Sequence, residues 1–265
     1  MHRLTRVLTL TFLYGLLYVP LSYIPLSLAQ SNSSHFMGVA KDPSSKQVLY
    51  KEIHCLSTKP ETRLNQGKVL YLNPANEIIA TKYLNNTENN LLTGKNQSIN
   101  PAWVPQYEFV HHDLGFAEAL RFSKDKILLR RKESETADWE EKLLLPDTDY
   151  AIIADAGFDR FVRENLASVI AGEDLDVTYL SAPRLTAINF SIKTISQTEE
   201  VIELSLAPRN LVIRLLVDPI KLVYHKESQR LLSFEGLTNV PKKGGENYVA
   251  LIEYRYGENL NEFCS

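Results

Sequence analysis

Along most of the chain apolar and polar side chains alternate one for one, the period of a strand that buries one face. "QVLYKEIHCL" shows it first, and "KVLYLNPANEIIATKYL" reads as a hairpin turning at Asn73-Pro74-Ala75-Asn76. Tyr107–His111 and Lys126–Arg131 follow as strands. "LGFAEALRF" fits a strand or a short helix and is read as a strand from its neighbours. After residue 173 the strands come in a run: "DLDVTYLS", "RLTAINFSIKTI", "EVIELSLA", "LVIRLLV", "IKLVYHK", "QRLLSFEGL" and "NYVALIEYRY". In the last, Tyr248, Ala250, Ile252, Tyr254 and Tyr256 share one face. Short polar turns (Ser196–Thr198, His225–Gln229, Lys242–Gly245) favour antiparallel pairing, because parallel neighbours need long crossovers. The pattern predicts about eleven to thirteen strands.

One stretch departs from this period, "DAGFDRFVRENLASVIAGEDLDVTYLSAPRL". Phe158, Phe161, Val162, Leu166, Val169 and Ile170 recur with a 3.6-residue spacing, while Arg160, Arg163, Glu164 and Ser168 take the other face. The spacing predicts one helix over Asp155–Ala171, capped by Asp155 and ended at Gly172. Asp159 then serves the helix dipole. A long sheet with one apolar face must curl, split or be covered. The expected fold is therefore mainly β, a β-rich α+β chain. It is a strongly curved antiparallel sheet or open half-barrel with this helix on its concave face.

The ends change the picture. Residues 1–29, "MHRLTRVLTLTFLYGLLYVPLSYIPLSLA", place Arg3 and Arg6 before an apolar run that finishes in Ser27-Leu28-Ala29. That order reads as a secretory signal peptide, and Pro20 and Pro25 argue against an anchor. Residues 30–46 are expected to be a flexible leader and 47–265 a single β-rich domain, with strands over 47–145 and 174–256. The mature chain is expected to lack a membrane span and to be exported. Without residues 1–29 the charge balance is 27 basic against 32 acidic residues, since Arg3 and Arg6 are subtracted from 29 and no acid is lost. No basic excess points to nucleic acid. In an oxidising compartment Cys55 and Cys264 could pair, or remain two thiols.

Chemistry is sparse. GxSxG, HExxH, GxGxxG and P-loop patterns are all missing. His111-His112-Asp113 is the most metal-like cluster, but neighbouring histidines on a strand point to opposite faces, so no metal or cofactor is expected. No catalytic residue is assigned. The same three would be the candidates if the chain were an enzyme.

Four phrases carry a resemblance: "NPANEIIATKYL", the helical stretch above, "LLVDPIKLVYHKESQRLLSFEGLTNV" and "NYVALIEYRY". On them the chain resembles a family of uncharacterised exported proteins of Gram-negative bacteria, which implies a periplasmic location and no particular activity. More loosely it is similar to the periplasmic lipoprotein carriers, whose strands curl into a half-barrel around helical segments with an apolar hollow. Three functions follow as expectations. The first is a carrier of a lipid or other apolar ligand, with Phe158, Phe161, Val162, Leu166 and Val169 lining the hollow. The second is a structural or interaction protein of the envelope with a filled core. The third is a hydrolase-like enzyme.

Overall fold

The structure is a computed structural model and describes residues 32–58, 65–85, 99–123, 126–145, 147–215 and 217–264. The expected signal peptide and most of the Asn-rich loop 85–100 lie outside these residues. The first run of strands is β1 (Asn32–Lys41), β2 (Val48–Thr58), β3 (Asn65–Leu72), β4 (Ile78–Asn85), β5 (Tyr107–His111), β6 (Ala117–Ser123), β7 (Lys126–Lys132) and β8 (Glu140–Leu144). The second begins with β9 (Ala151–Ile153). The helices α1 (Gly157–Glu164) and α2 (Leu166–Ile170) follow, then β10 (Leu175–Ser181), β11 (Thr186–Gln197) and β12 (Val201–Pro208). A short α3 (Leu211–Arg214) precedes β13 (Ile220–His225), β14 (Leu231–Pro241) and β15 (Asn247–Tyr256), and α4 (Asn261–Cys264) ends the described chain.

All fifteen strands form one mainly antiparallel sheet in the order β8-β7-β6-β5-β4-β3-β2-β1-β15-β14-β13-β12-β11-β10-β9. It is two meanders joined where β1 pairs with β15, Phe36 facing Tyr256 and Lys41 facing Leu251. Its edges, β8 and β9, are consecutive in the chain and separated only by residues 145–150. Such a link reaches at most about 25 Å, whereas a flat sheet of this size would hold its edges about 65 Å apart. The sheet must curl, and its interior contacts show that it does. Leu129 of β7 and Leu180 of β10 share one buried cluster, and Arg131 donates to the Pro183 carbonyl at 3.0 Å. The two edges do not pair among the described residues, so the sheet stays open.

The helical segment follows from the one exception to antiparallel pairing among the described residues. β9 and β10 are parallel, with Ala151 opposite Val177, and parallel neighbours need a crossover long enough to return the chain to the same end. α1 and α2 are that crossover. Their apolar side packs Phe161, Val162, Leu166 and Val169 onto Val177, Ile192, Ile202, Leu204 and Leu222 of β10–β13. At about 25 cal/mol per Å² of apolar surface, each such side chain contributes about 1.5–3 kcal/mol by leaving water.

Several expectations are corrected. The helix predicted as continuous over Asp155–Ala171 is broken at Asn165. Its φ of −110° leaves the helical region, and its side-chain amide donates to the Phe161 carbonyl at 2.8 Å. Asp155 is not the cap, because Ala156 holds that position. The leader expected over 30–46 contains β1, a central strand paired on both sides. Its Phe36, Met37, Val39 and Ala40 have no polar residues at alternate positions, so no period of two reveals it. "LVIRLLV" is not a strand: Asn210 Oδ1 accepts from the Val212 and Ile213 amides at 2.9 and 3.3 Å and starts α3 instead. β8 and β9 also raise the strand number above the predicted range, β8 being mostly exposed and β9 only three residues long.

Cys55 and Cys264 form a disulfide with Cα atoms 5.2 Å apart. It lies on the outer face of the sheet, where Leu260 and Phe263 of the C-terminal segment cover Ile53, Leu70 and Leu72.

Candidate functional site: a hollow with a buried charged pole

The concave face of the curled sheet does not fill. It leaves a partly open cavity of about 740 Å³, bounded by strands of both meanders and by α1. Most of the wall is apolar, as at Phe36, Phe158, Phe190, Leu222 and Phe234. One region is not, and it is assembled from strands far apart in the sheet order.

Lys82 is its centre. Strand alternation puts Lys82 in phase with Ala80 and Leu84, on the buried face of β4. Its ammonium donates to Asp155 Oδ2 at 2.5 Å, and the two side chains are 6% and 3% exposed. Asp155 follows β9 and has a φ of 42°, a left-handed conformation that Asp tolerates better than most residues. This conformation turns the carboxylate inward, where Oδ2 also accepts from Asn239 Nδ2 of β14 at 3.2 Å and Oδ1 from the Ala156 amide at 2.7 Å. One carboxylate thus joins β4, β14 and the start of the crossover. Rings of Tyr71, Tyr107 and Phe109 surround the ammonium at 6.0, 5.4 and 5.8 Å. Burial opposes the charge on Lys82, but Asp155, with Tyr71 and Glu118, outweighs it and holds the ammonium well above its ordinary pKa.

Glu118 stands beside this pair on β6, 1% exposed. The Tyr107 hydroxyl donates to its Oε1 at 3.1 Å, while Oε2 has no hydrogen-bond partner among the described residues. Burial raises the carboxyl to a pKa of about 7, against the opposing pull of Lys82. Burial likewise pushes Tyr71, Tyr107 and Tyr179 above the usual phenol range. Further round the wall, His54 Nε2 meets Glu52 Oε2 at 3.1 Å. On the helix side the Tyr224 hydroxyl donates to Asp159 at 3.1 Å, and Arg163 pairs with the same carboxylate at 2.9 Å.

The residues expected to line the hollow are divided by the structure. Phe158 is part of the wall. Phe161, Val162, Leu166 and Val169 are all 4% exposed or less and belong to the packed core between the helices and β10–β13. His111 is buried with Nδ1 unpartnered among the described residues, and burial lowers its pKa. His112 instead meets Thr81 Oγ1 at 3.0 Å. Neither histidine, nor Asp113, is part of the cavity wall described here. Sequence reasoning missed Lys82 and Glu118. The signal was present: each is a charged residue in phase with an apolar strand face, Lys82 with Ala80 and Leu84 and Glu118 with Leu120.

No protein-family model matches the chain, and no curated protein matches it. Among solved structures the chain is similar to a crystal structure described as a β-barrel-like protein of a domain of unknown function, DUF1849, from Brucella abortus. The TM-score is 0.37 at 7% sequence identity, over 85% of this chain and 98% of that chain.

Proposed function

We propose that this is an exported, periplasmic carrier that holds an apolar or amphipathic ligand in the hollow of its curled sheet. The observation that carries the reading is the cavity itself. About 740 Å³ of mostly apolar wall with a few converging polar groups is the composition and size of a ligand site, which typically spans about 300–1,000 Å³. Close-packed interiors leave few voids larger than a water molecule. The signal-peptide pattern of residues 1–29 and the Cys55–Cys264 disulfide support export.

The test is native mass spectrometry of gently purified protein, followed by denaturing extraction. Phe158→Glu changes the wall at a half-buried position at the margin of the Phe161 cluster, so its fold is checked by circular dichroism. A lipid-sized adduct in the parent protein that is lost from the folded F158E variant supports the reading. An apo mass, together with no uptake of an uncharged fluorescent probe such as N-phenyl-1-naphthylamine, overturns it. A second reading, an envelope interaction protein, is supported by Leu211, Val212 and Leu215 on α3 and the turn after it, which are 72%, 67% and 87% exposed. Serine at these three positions would then abolish partner capture and leave probe uptake unchanged.

A further inference from the structure

The charged pole gives the hollow a sign. Three acids, Glu52, Asp155 and Glu118, line it deep in the fold against one deeply buried base, Lys82. Lys82 and Asp155 neutralise each other. Glu52 receives His54 and, at 3.5 Å, the Tyr254 hydroxyl. Glu118 is part of the wall; it receives Tyr107 at Oε1, and Oε2, itself buried, has no hydrogen-bond partner among the described residues. Arg184 is exposed, and Arg163 and Arg230 stand toward solvent, so their charges are screened more strongly than those inside. A buried, unpartnered carboxylate oxygen costs free energy until a donor reaches it.

We infer that the ligand carries a cationic amine head, which seats against the Glu118 carboxylate with its alkyl tail along the Phe158, Phe190 and Phe234 wall. An ammonium is the group that meets both demands of the pole. It donates to the carboxylate, and it replaces the missing positive charge. Tyr71 and Tyr179 are both part of the wall, so aromatic rings that attract a cation stand near the head. A hydroxyl head supplies the donor without the charge. A carboxylate head brings a fourth acid among three. The inference rests on the carrier reading and deepens it.

The experiment uses the full folded protein at pH 8. Dodecylammonium and dodecanoate below their micellar concentrations, and dodecanol below its solubility limit, compete with bound N-phenyl-1-naphthylamine. A charge-assisted hydrogen bond in a desolvated site predicts that dodecylammonium binds at least about tenfold more tightly than dodecanol, with dodecanoate weakest. In Glu118→Gln, shown to be folded by circular dichroism, dodecylammonium and dodecanol should converge to within a few-fold. Equal binding of all three heads, or an ammonium preference unchanged in E118Q, overturns the head-group inference and leaves the carrier standing. Tighter binding of dodecanoate overturns it by sign. If neither the probe nor any of the three enters the hollow, the carrier reading itself falls, and the inference with it.

Discussion

Glu118 should make the protein lose stability between mildly acidic and mildly basic pH, and Glu118→Gln should remove that loss. The variant keeps the side chain's shape and an acceptor for Tyr107, and deletes only the titration. In the unfolded chain the carboxyl has its ordinary value near 4.5; in the fold, burial raises it to about 7. Between those values the native state holds a proton that the unfolded state has released. Stability therefore falls as pH rises from the lower value to the higher one and is flat above it. The full gap corresponds to about 3 kcal/mol, of which about 2 kcal/mol lies between pH 5 and pH 8. Urea unfolding with the disulfide intact, followed by Trp103 and Trp139 fluorescence at several pH values, measures it. Other groups titrate alike in both proteins, so the difference between them isolates Glu118. E118Q should gain on the parent by about 2 kcal/mol across this range. Two curves that stay parallel to within about 0.5 kcal/mol would refute the burial argument. A parent that instead gains stability relative to E118Q as pH rises would show that Lys82 outweighs desolvation and keeps Glu118 ionised.

Three further outcomes follow. Lys82→Met leaves Asp155 buried without its cation and should cost about 3–5 kcal/mol in urea unfolding, part of which Asp155→Asn in the same chain should restore. Cys264→Ser opens a link with a sequence separation of 209, and the chain-entropy model sets its cost at up to about 5 kcal/mol; reduction of the parent protein should lower the unfolding midpoint by a similar amount. Gly157→Ala places a Cβ 2.0 Å from the Trp103 carbonyl oxygen, so the start of α1 must move and the melting temperature should drop by the equivalent of about 1–3 kcal/mol.

The fold was readable wherever a local period decided it. Alternation in β4, β11 and β15 and the 3.6-residue spacing from Phe158 to Ile170 are short-range patterns, and the structure uses them. Elements set by long-range pairing were not readable. β1 is held by β2 and β15, a partner more than two hundred residues away, and its Ser- and Gly-containing sequence has little strand signal of its own. β9 has three residues and owes its existence to β10. The apolar run Leu211–Val217 could have been a strand by composition, and one Asn decided otherwise. The charged pole was half-legible. Lys82 and Glu118 each break the apolar face of a strand, which marks them as costly. Their common location is a property of the curl, and no local pattern encodes that.

The crossover helix and the pole arise from one topological fact. The link from β8 to β9 returns the chain to the opposite edge of the sheet, so β9 must pair parallel to β10 and requires a crossover. At the start of that crossover the chain turns through Asp155, and the turn aims a carboxylate across the hollow. Lys82 lies on β4 and Asn239 on β14. In sheet order these strands are separated from the β9 edge by ten and five positions respectively. An ion pair joining such distant strands resists flattening of the sheet, because flattening separates two buried charges. The pair that sets the chemistry of the pole therefore also holds the curl that bounds the cavity. On this argument K82M should lose ligand uptake even at temperatures where its circular dichroism remains native, whereas E118Q should keep uptake of uncharged ligands and lose only the preference for a cationic head. A K82M protein that stays folded and loads the uncharged probe as well as the parent would show that the curl is maintained by the apolar clusters alone.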